Sequence, residues 1–325
     1  MITILAEAEH RNYNINKKQL ELINHAVANS EEPILIIMEQ SPLLLWIMQN
    51  KIFEGVKNVS KLGTYINSTW KCMRNTLVKL ALTGKVYIMS YDIVQILDYQ
   101  TSKKAKEYFN IDLPNPWKCP EVCCKEEREY HKKAERMINK AMVKLIQSKL
   151  PKYDNSFSKI HEHIFREVIE NLHTSYSIIS ENCNLDKIST GYMISRDTLG
   201  TEYINNFFSK FGDYNSIVIC HVVHAYYSHD PTNGKRYMHT FPENTDRRFS
   251  DYSNELEPFA GNLRGDKKNI MVINGKRKFH ENSLETQLLK IRAGEDIQLD
   301  KTKSYWVQSS YIKLYPHQFD YFLVA

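Results

Sequence analysis

Over residues 1–90 short apolar runs alternate with longer amphipathic stretches. Ile2-Thr3-Ile4-Leu5 is apolar and rich in β-branched residues, which predicts a strand. Asn16 reads as the N-cap of a helix over about 17–29. Pro33 ends the connection, and the unbroken run Ile34–Met38 predicts a second strand of the kind buried on both faces in a parallel sheet. Residues 43–52 and 68–83 read as helices, and Val86–Met89 as a third strand with Asp92 just beyond it. Strand–helix alternation of this kind argues for βαβ units with right-handed crossovers. The pattern changes over about 100–185, where the loop Leu113-Pro114-Asn115-Pro116-Trp117 precedes charged helical patterns at 121–149 and 157–182. Residues 198–211 read as a further helix and Ser216–Cys220 as a fourth strand. Asn269–Ile273, Tyr305–Val307 and Phe319–Val324 read as strands in a mixed tail. The expectation is an α/β fold: a mostly parallel central sheet flanked by helices, formed by a single domain over 1–325 with a helical insertion or cap at about 100–185.

Composition narrows the class. The chain has 325 residues and is 42% hydrophobic, enough for a substantial core. Its 43 Lys and Arg against 38 Asp and Glu leave a net charge of +5. The basic residues form only short runs, such as Lys276-Arg277-Lys278 and Lys132-Lys133, so no nucleic-acid partner is expected. No apolar run is long enough to span a bilayer. Glu7 and Glu9 interrupt the first apolar run, which therefore does not read as a secretory leader. The six cysteines read as reduced thiols. The expected setting is cytoplasmic, or secreted without a conventional signal peptide. Cys119, Cys123, Cys124 and His131 approach a zinc-ligand spacing but lack a clear second pair, and read as loop thiols before a helix.

In an open parallel sheet, ligands sit beyond the carboxyl ends of the strands. The first polar residues after the apolar runs are Glu7 to His10 after strand one, Glu39 after strand two, and His221 and His224 after strand four. Acids and imidazoles from three strands thus fall at one edge, and Glu7, His10, Glu39, His221 and His224 are expected to line one cleft. Burying such groups is costly unless they are paired. Other constellations carry less. His161-Glu162-His163 is not the zincin pattern, because Phe165 stands at the second-histidine position; it reads as the solvated face of a charged helix. There is no phosphate-cradling glycine loop among the eleven glycines. No Gly-x-Ser-x-Gly elbow is present either, which argues against a serine nucleophile.

The run Thr3-Ile4-Leu5-Ala6-Glu7-Ala8-Glu9-His10 resembles the strand and Gly-Glu-x-x-His-type opening of the erythromycin esterase-like group. That group belongs to a superfamily with the Tiki proteases, the ChaN haem-binding proteins and a core domain of large bacterial toxins of the Ras/Rap-specific endopeptidase type. Glu39 is similar to the family's second acidic residue, Ser195-Arg196-Asp197 to its Arg-Asp pair before a helix, and His221-Val222-Val223-His224 to its His-Asn-x-His strand end. Phe319-Asp320-Tyr321 resembles its final strand. Ala6, Arg11 and Val222 depart from the family's Gly, Gly and Asn.

The resemblance implies a hydrolase of ester or amide bonds, an esterase or peptidase, acting on a small-molecule ester or a protein substrate, with a host-directed or toxin-like effector as one form. His10 is the candidate general base. Glu7 or Glu39 would orient it, and His221, His224 or Arg196 would stabilise the oxyanion. Either no cofactor is required, or the same Glu/His cluster holds a divalent metal that activates water. The alternative is a haem- or metal-binding protein of the ChaN type without catalysis.

Overall fold

The computed structural model describes residues 1–8, 10–116, 124–148, 150, 152–182, 190–212, 214–227, 258–264, 268–275, 283–294, 299–300, 303, 305–307, 312–314, 316 and 318–325. The strands are β1 (Ile2–Glu7), β2 (Ile34–Met38), β3 (Val86–Ser90), β4 (Asn215–His221), β5 (Lys268–Asn274), β6 (Tyr305–Val307), β7 (Ile312–Leu314) and β8 (Tyr321–Val324). Six of them form a parallel sheet in the order β3-β2-β4-β1-β5-β8, and β6 and β7 pair as an antiparallel ribbon. The fold is α/β, as the alternation of runs predicts. All five side chains of β2 and all five of β3 are buried, which explains why these strands read as unbroken apolar runs.

The chain folds into two compact units. The first comprises Met1–Ile37, Ser68–Thr76 and Asp213–Ala325. Within it β1 lies between β4 and β5, parallel to both. The register sets Glu7 directly opposite His221. Helix α1 (Tyr13–Ala28) follows β1. Its N-cap is Asn12, whose side-chain oxygen accepts from the backbone N–H groups of Asn14 at 3.0 Å and Ile15 at 3.3 Å. The expected cap, Asn16, instead lies in the first turn and is fully buried. Both asparagines precede an apolar period, and only Asn12 has the extended backbone that a cap requires. A Cβ at Gly275, just after β5, would stand 2.4 Å from Nδ2 of Asn12, so a side chain there would displace the capping amide.

The second unit comprises Met38–Asn67 and Leu77–Gly212. It holds α2 (Pro42–Phe53), α3 (Val59–Gly63), most of α4 (Arg74–Leu82), then β3, α5 (Tyr99–Phe109), α6 (Cys124–Gln147), α7 (Ser158–Glu170), α8 (Leu172–Asn182) and α9 (Thr190–Phe211). Pro42 opens α2 at a position where its missing N–H costs nothing. The single helix expected over 157–182 is two, with Asn171 capping the first. The helix expected over 198–211 begins at Thr190, so Arg196 and Asp197 lie inside it rather than before it. Its buried positions include Tyr192, Arg196, Asp197, Tyr203, Ile204 and Phe207. Two polar residues interrupt that stripe and break the apolar period from which a sequence reading locates a helix start.

Candidate active site

In the first unit the chemistry gathers at the carboxyl ends of β1 and β4. Glu7, the last residue of β1, is fully buried. One of its carboxylate oxygens pairs with Nδ1 of His10, three residues on. The other accepts from the side-chain amide of Asn16 at 3.4 Å. That amide also donates to Oε1 of Gln19 at 3.2 Å, and Nε2 of Gln19 donates to the Leu5 carbonyl at 3.3 Å. The polar chain therefore begins and ends on β1, routed through α1. The side chain of His10 is 41% exposed while that of Glu7 is 0%. The pair thus joins a buried anchor to a ring that solvent reaches. Trp70 lies perpendicular to this ring, with 6.1 Å between centroids.

His221 closes β4 opposite Glu7, and its ring lies 4.7 Å from that of His10. Its Nδ1 accepts the backbone N–H of Val223 at 3.3 Å, which places the ring proton on Nε2. His10 turns Nδ1 to a carboxylate, so that nitrogen carries a proton. The two adjacent imidazoles thus use Nδ1 in opposite senses, His10 donating and His221 accepting. His224 ends the 3-10 turn Val222–His224 and is buried.

In the second unit Arg196 sits between two carboxylates. Its Nε donates to Asp92 at 2.8 Å, and its terminal nitrogen lies 2.6 Å from both Asp92 and Glu39. All three groups are nearly excluded from water, at 6%, 0% and 9% side-chain exposure for Arg196, Asp92 and Glu39. Burial alone would favour loss of the guanidinium proton, but Asp92 and Glu39 outweigh it and hold Arg196 well above its ordinary range. Burial, assisted by Asp92 and Glu39 and opposed by Arg196, pushes the Tyr192 hydroxyl upward. The backbone that carries Glu39 is tied down by its neighbours. The Ser90 hydroxyl donates to the Gln40 carbonyl and itself accepts the Asp92 N–H at 2.9 Å.

The structure thus joins Glu7, His10 and His221 in one unit, and Glu39 and Arg196 in the other. Sequence reasoning missed Asn16, Gln19 and Asp92 as members of these clusters. Asp92 was findable by the same strand-end rule, as the first acid after β3; the two helical amides carried no such signal.

His161 corrects the expectation of a solvated face. It is only 3% exposed, its Nδ1 meets the Tyr87 hydroxyl at 2.8 Å, and its Nε2 meets Oδ1 of Asn50 at 2.9 Å. It stacks on Trp46 at 4.5 Å. Burial lowers its pKa to about 3, so it stays neutral. Of the cysteines, Cys72 is exposed and Cys220 buried, and neither is in a disulfide. Cys119, Cys123 and Cys183 lie outside the described residues, as do Glu9, Trp117, the basic run 276–278 and most of the loop after Tyr226. His131 hydrogen-bonds the Tyr176 hydroxyl at 2.7 Å.

Within each unit the described donors do not form a metal cage. Among the described residues no three His, Cys, Asp or Glu side chains converge on one point. Glu7 is taken up by His10 and Asn16, Nδ1 of His221 by a backbone N–H, and Glu39 and Asp92 by a guanidinium.

No family model and no curated protein matches this sequence. Solved structures do. A mutant of the erythromycin esterase EreC in its open conformation aligns with a TM-score of 0.57 at 12% identity, covering 99% of this chain and 90% of that one. A Bacillus cereus protein aligns with a TM-score of 0.49 at 10% identity, over 99% of this chain and 88% of its own. At such identities the likeness is one of fold. This chain has an erythromycin esterase-like fold.

Proposed function

We propose that this chain is a hydrolase that cleaves an ester or amide bond by general-base activation of water at His10. The observation that carries the reading is the exposed His10 ring anchored on fully buried Glu7, beside a second imidazole whose Nδ1 accepts a backbone N–H. A carboxylate at Nδ1 fixes the ring's orientation and stabilises the imidazolium that forms when Nε2 takes a proton. Water, losing that proton, attacks the carbonyl carbon, and the His221 Nε2–H donates to the oxyanion that develops. Imidazolium at His10 then returns the proton to the leaving group, and the acid and the alcohol or amine depart. Buried His224 suits support of the turn that carries His221 rather than contact with substrate.

Arg196 is matched against two carboxylates, so its charge is more than neutralised within its own cluster. We assign it the task of holding Glu39 and Asp92 in place. Because the solved neighbour is by its name an esterase, esters are the first substrates to try, followed by peptides and small GTPases. The native chain should hydrolyse a member of that panel, and Glu7→Gln, which keeps the shape and removes the charge that stabilises imidazolium at His10, should lower the rate at least about tenfold. Failure across the panel, or full activity in Glu7→Gln, would count against the assignment.

A further inference from the structure

We infer that Asn16 is a positioning residue that fixes the proton of His10 through Glu7, an inference that rests on His10 being the base. The buried stripe of α1 runs Ile15, Asn16, Gln19, Ile23, Val27. Apolar residues are the ordinary occupants of such a stripe, and an amide there is costly unless its hydrogen bonds are made. Asn16 directs its amide nitrogen to Glu7 at 3.4 Å and to Gln19 at 3.2 Å, while its own Oδ1 is buried with no partner among the described residues. Helix stability does not account for an amide whose acceptor goes unused. Orientation of Glu7 does.

A carboxylate at a strand end can rotate about its last bond and offer either oxygen, or both, to a neighbouring ring. The Asn16 N–H ties up one oxygen of Glu7 and leaves the other for Nδ1 of His10. Gln19, one turn further on, is bonded to the Leu5 carbonyl at 3.3 Å and prevents the Asn16 amide from swinging away. Strand β1 thus sets the angle of its own terminal carboxylate through two residues of the helix that follows it. The result at the reacting atom is a lone pair held on Nε2 of His10. Partners of this outer kind typically contribute about 10- to 100-fold to activity.

The test is Asn16→Leu, close in volume and without a donor, with folding checked by thermal melt. Two quantities are read: the tautomer of His10 from its ring nitrogen shifts in labelled protein, and the steady-state constants on whichever panel substrate the native chain turns over. The expected result is a native His10 protonated at Nδ1, a shift toward the Nε2–H form in the variant, and a kcat lower by about 10- to 100-fold with KM within about twofold. Asn16→Ser, shorter but still a donor, should fall between the two and serves if the leucine variant does not fold. An unchanged tautomer with kcat within about twofold of native overturns the inference and leaves the hydrolase reading standing. The reverse failure is separable, because the tautomer measurement needs no substrate: if nothing in the panel is hydrolysed, the nitrogen shifts alone decide the role of Asn16.

Discussion

Arg11 adopts a φ of 63°, immediately after His10. This is the left-handed region, which costs a residue with a Cβ about 1–2 kcal/mol and glycine almost nothing. A glycine at this position would meet no such penalty. Arg11→Gly should therefore raise stability by about 0.5–1 kcal/mol, the left-handed penalty being partly offset by the greater freedom of glycine in the unfolded chain. A urea midpoint at or below that of the native chain would contradict this. His161 makes a second residue-scale prediction. Its folded pKa of about 3 lies below the unfolded value of about 6.5. Between these pH values the unfolded chain binds a proton that the folded chain refuses. The histidine therefore costs nothing above pH ~6.5, and stability drains away as pH falls below it, at up to about 1.4 kcal/mol per unit. His161→Gln should flatten the loss of stability between about pH 6 and pH 4.5 by close to one proton's worth. Equal slopes in the two proteins would contradict it.

At the scale of elements, the first turn of α1 connects fold and chemistry. Asn12 caps the helix and fills the space left by Gly275 after β5, and in the turns that follow Asn16 reaches Glu7 and Gln19 reaches the Leu5 carbonyl. Asn12→Ala should lower stability by about 1 kcal/mol, read as a shifted denaturation midpoint; an unchanged midpoint would show that the cap carries no weight. The same turn shows where sequence reasoning stops. The strands were legible because apolar runs buried on both faces leave an unambiguous trace, and Glu7, His10, Glu39 and His221 followed from the rule that polar residues cap such strands. The phase of α1 was not legible, because Asn12 and Asn16 are the same residue type one turn apart. The start of α9 was obscured because Arg196 and Asp197 occupy core positions with polar groups. What joins Arg196 to Glu39 is a pairing across 157 positions of sequence, which no local period records.

For the whole molecule, the likeness to the erythromycin esterase structure extends over 99% of the chain at 12% identity. The two share a fold while most aligned residues differ, and function has to be argued from the site. The central claim is that His10 is held for chemistry and not for packing, which its 41% side-chain exposure above a fully buried Glu7 supports. The most direct measurement is the turnover and thermal melt of His10→Ala side by side with the native chain, on the first ester or amide found to be hydrolysed. The account predicts a rate lower by about 10²–10⁴ with a melting temperature close to native. A variant that melts well below the native chain, yet whose folded fraction hydrolyses the substrate at the native rate, would contradict it.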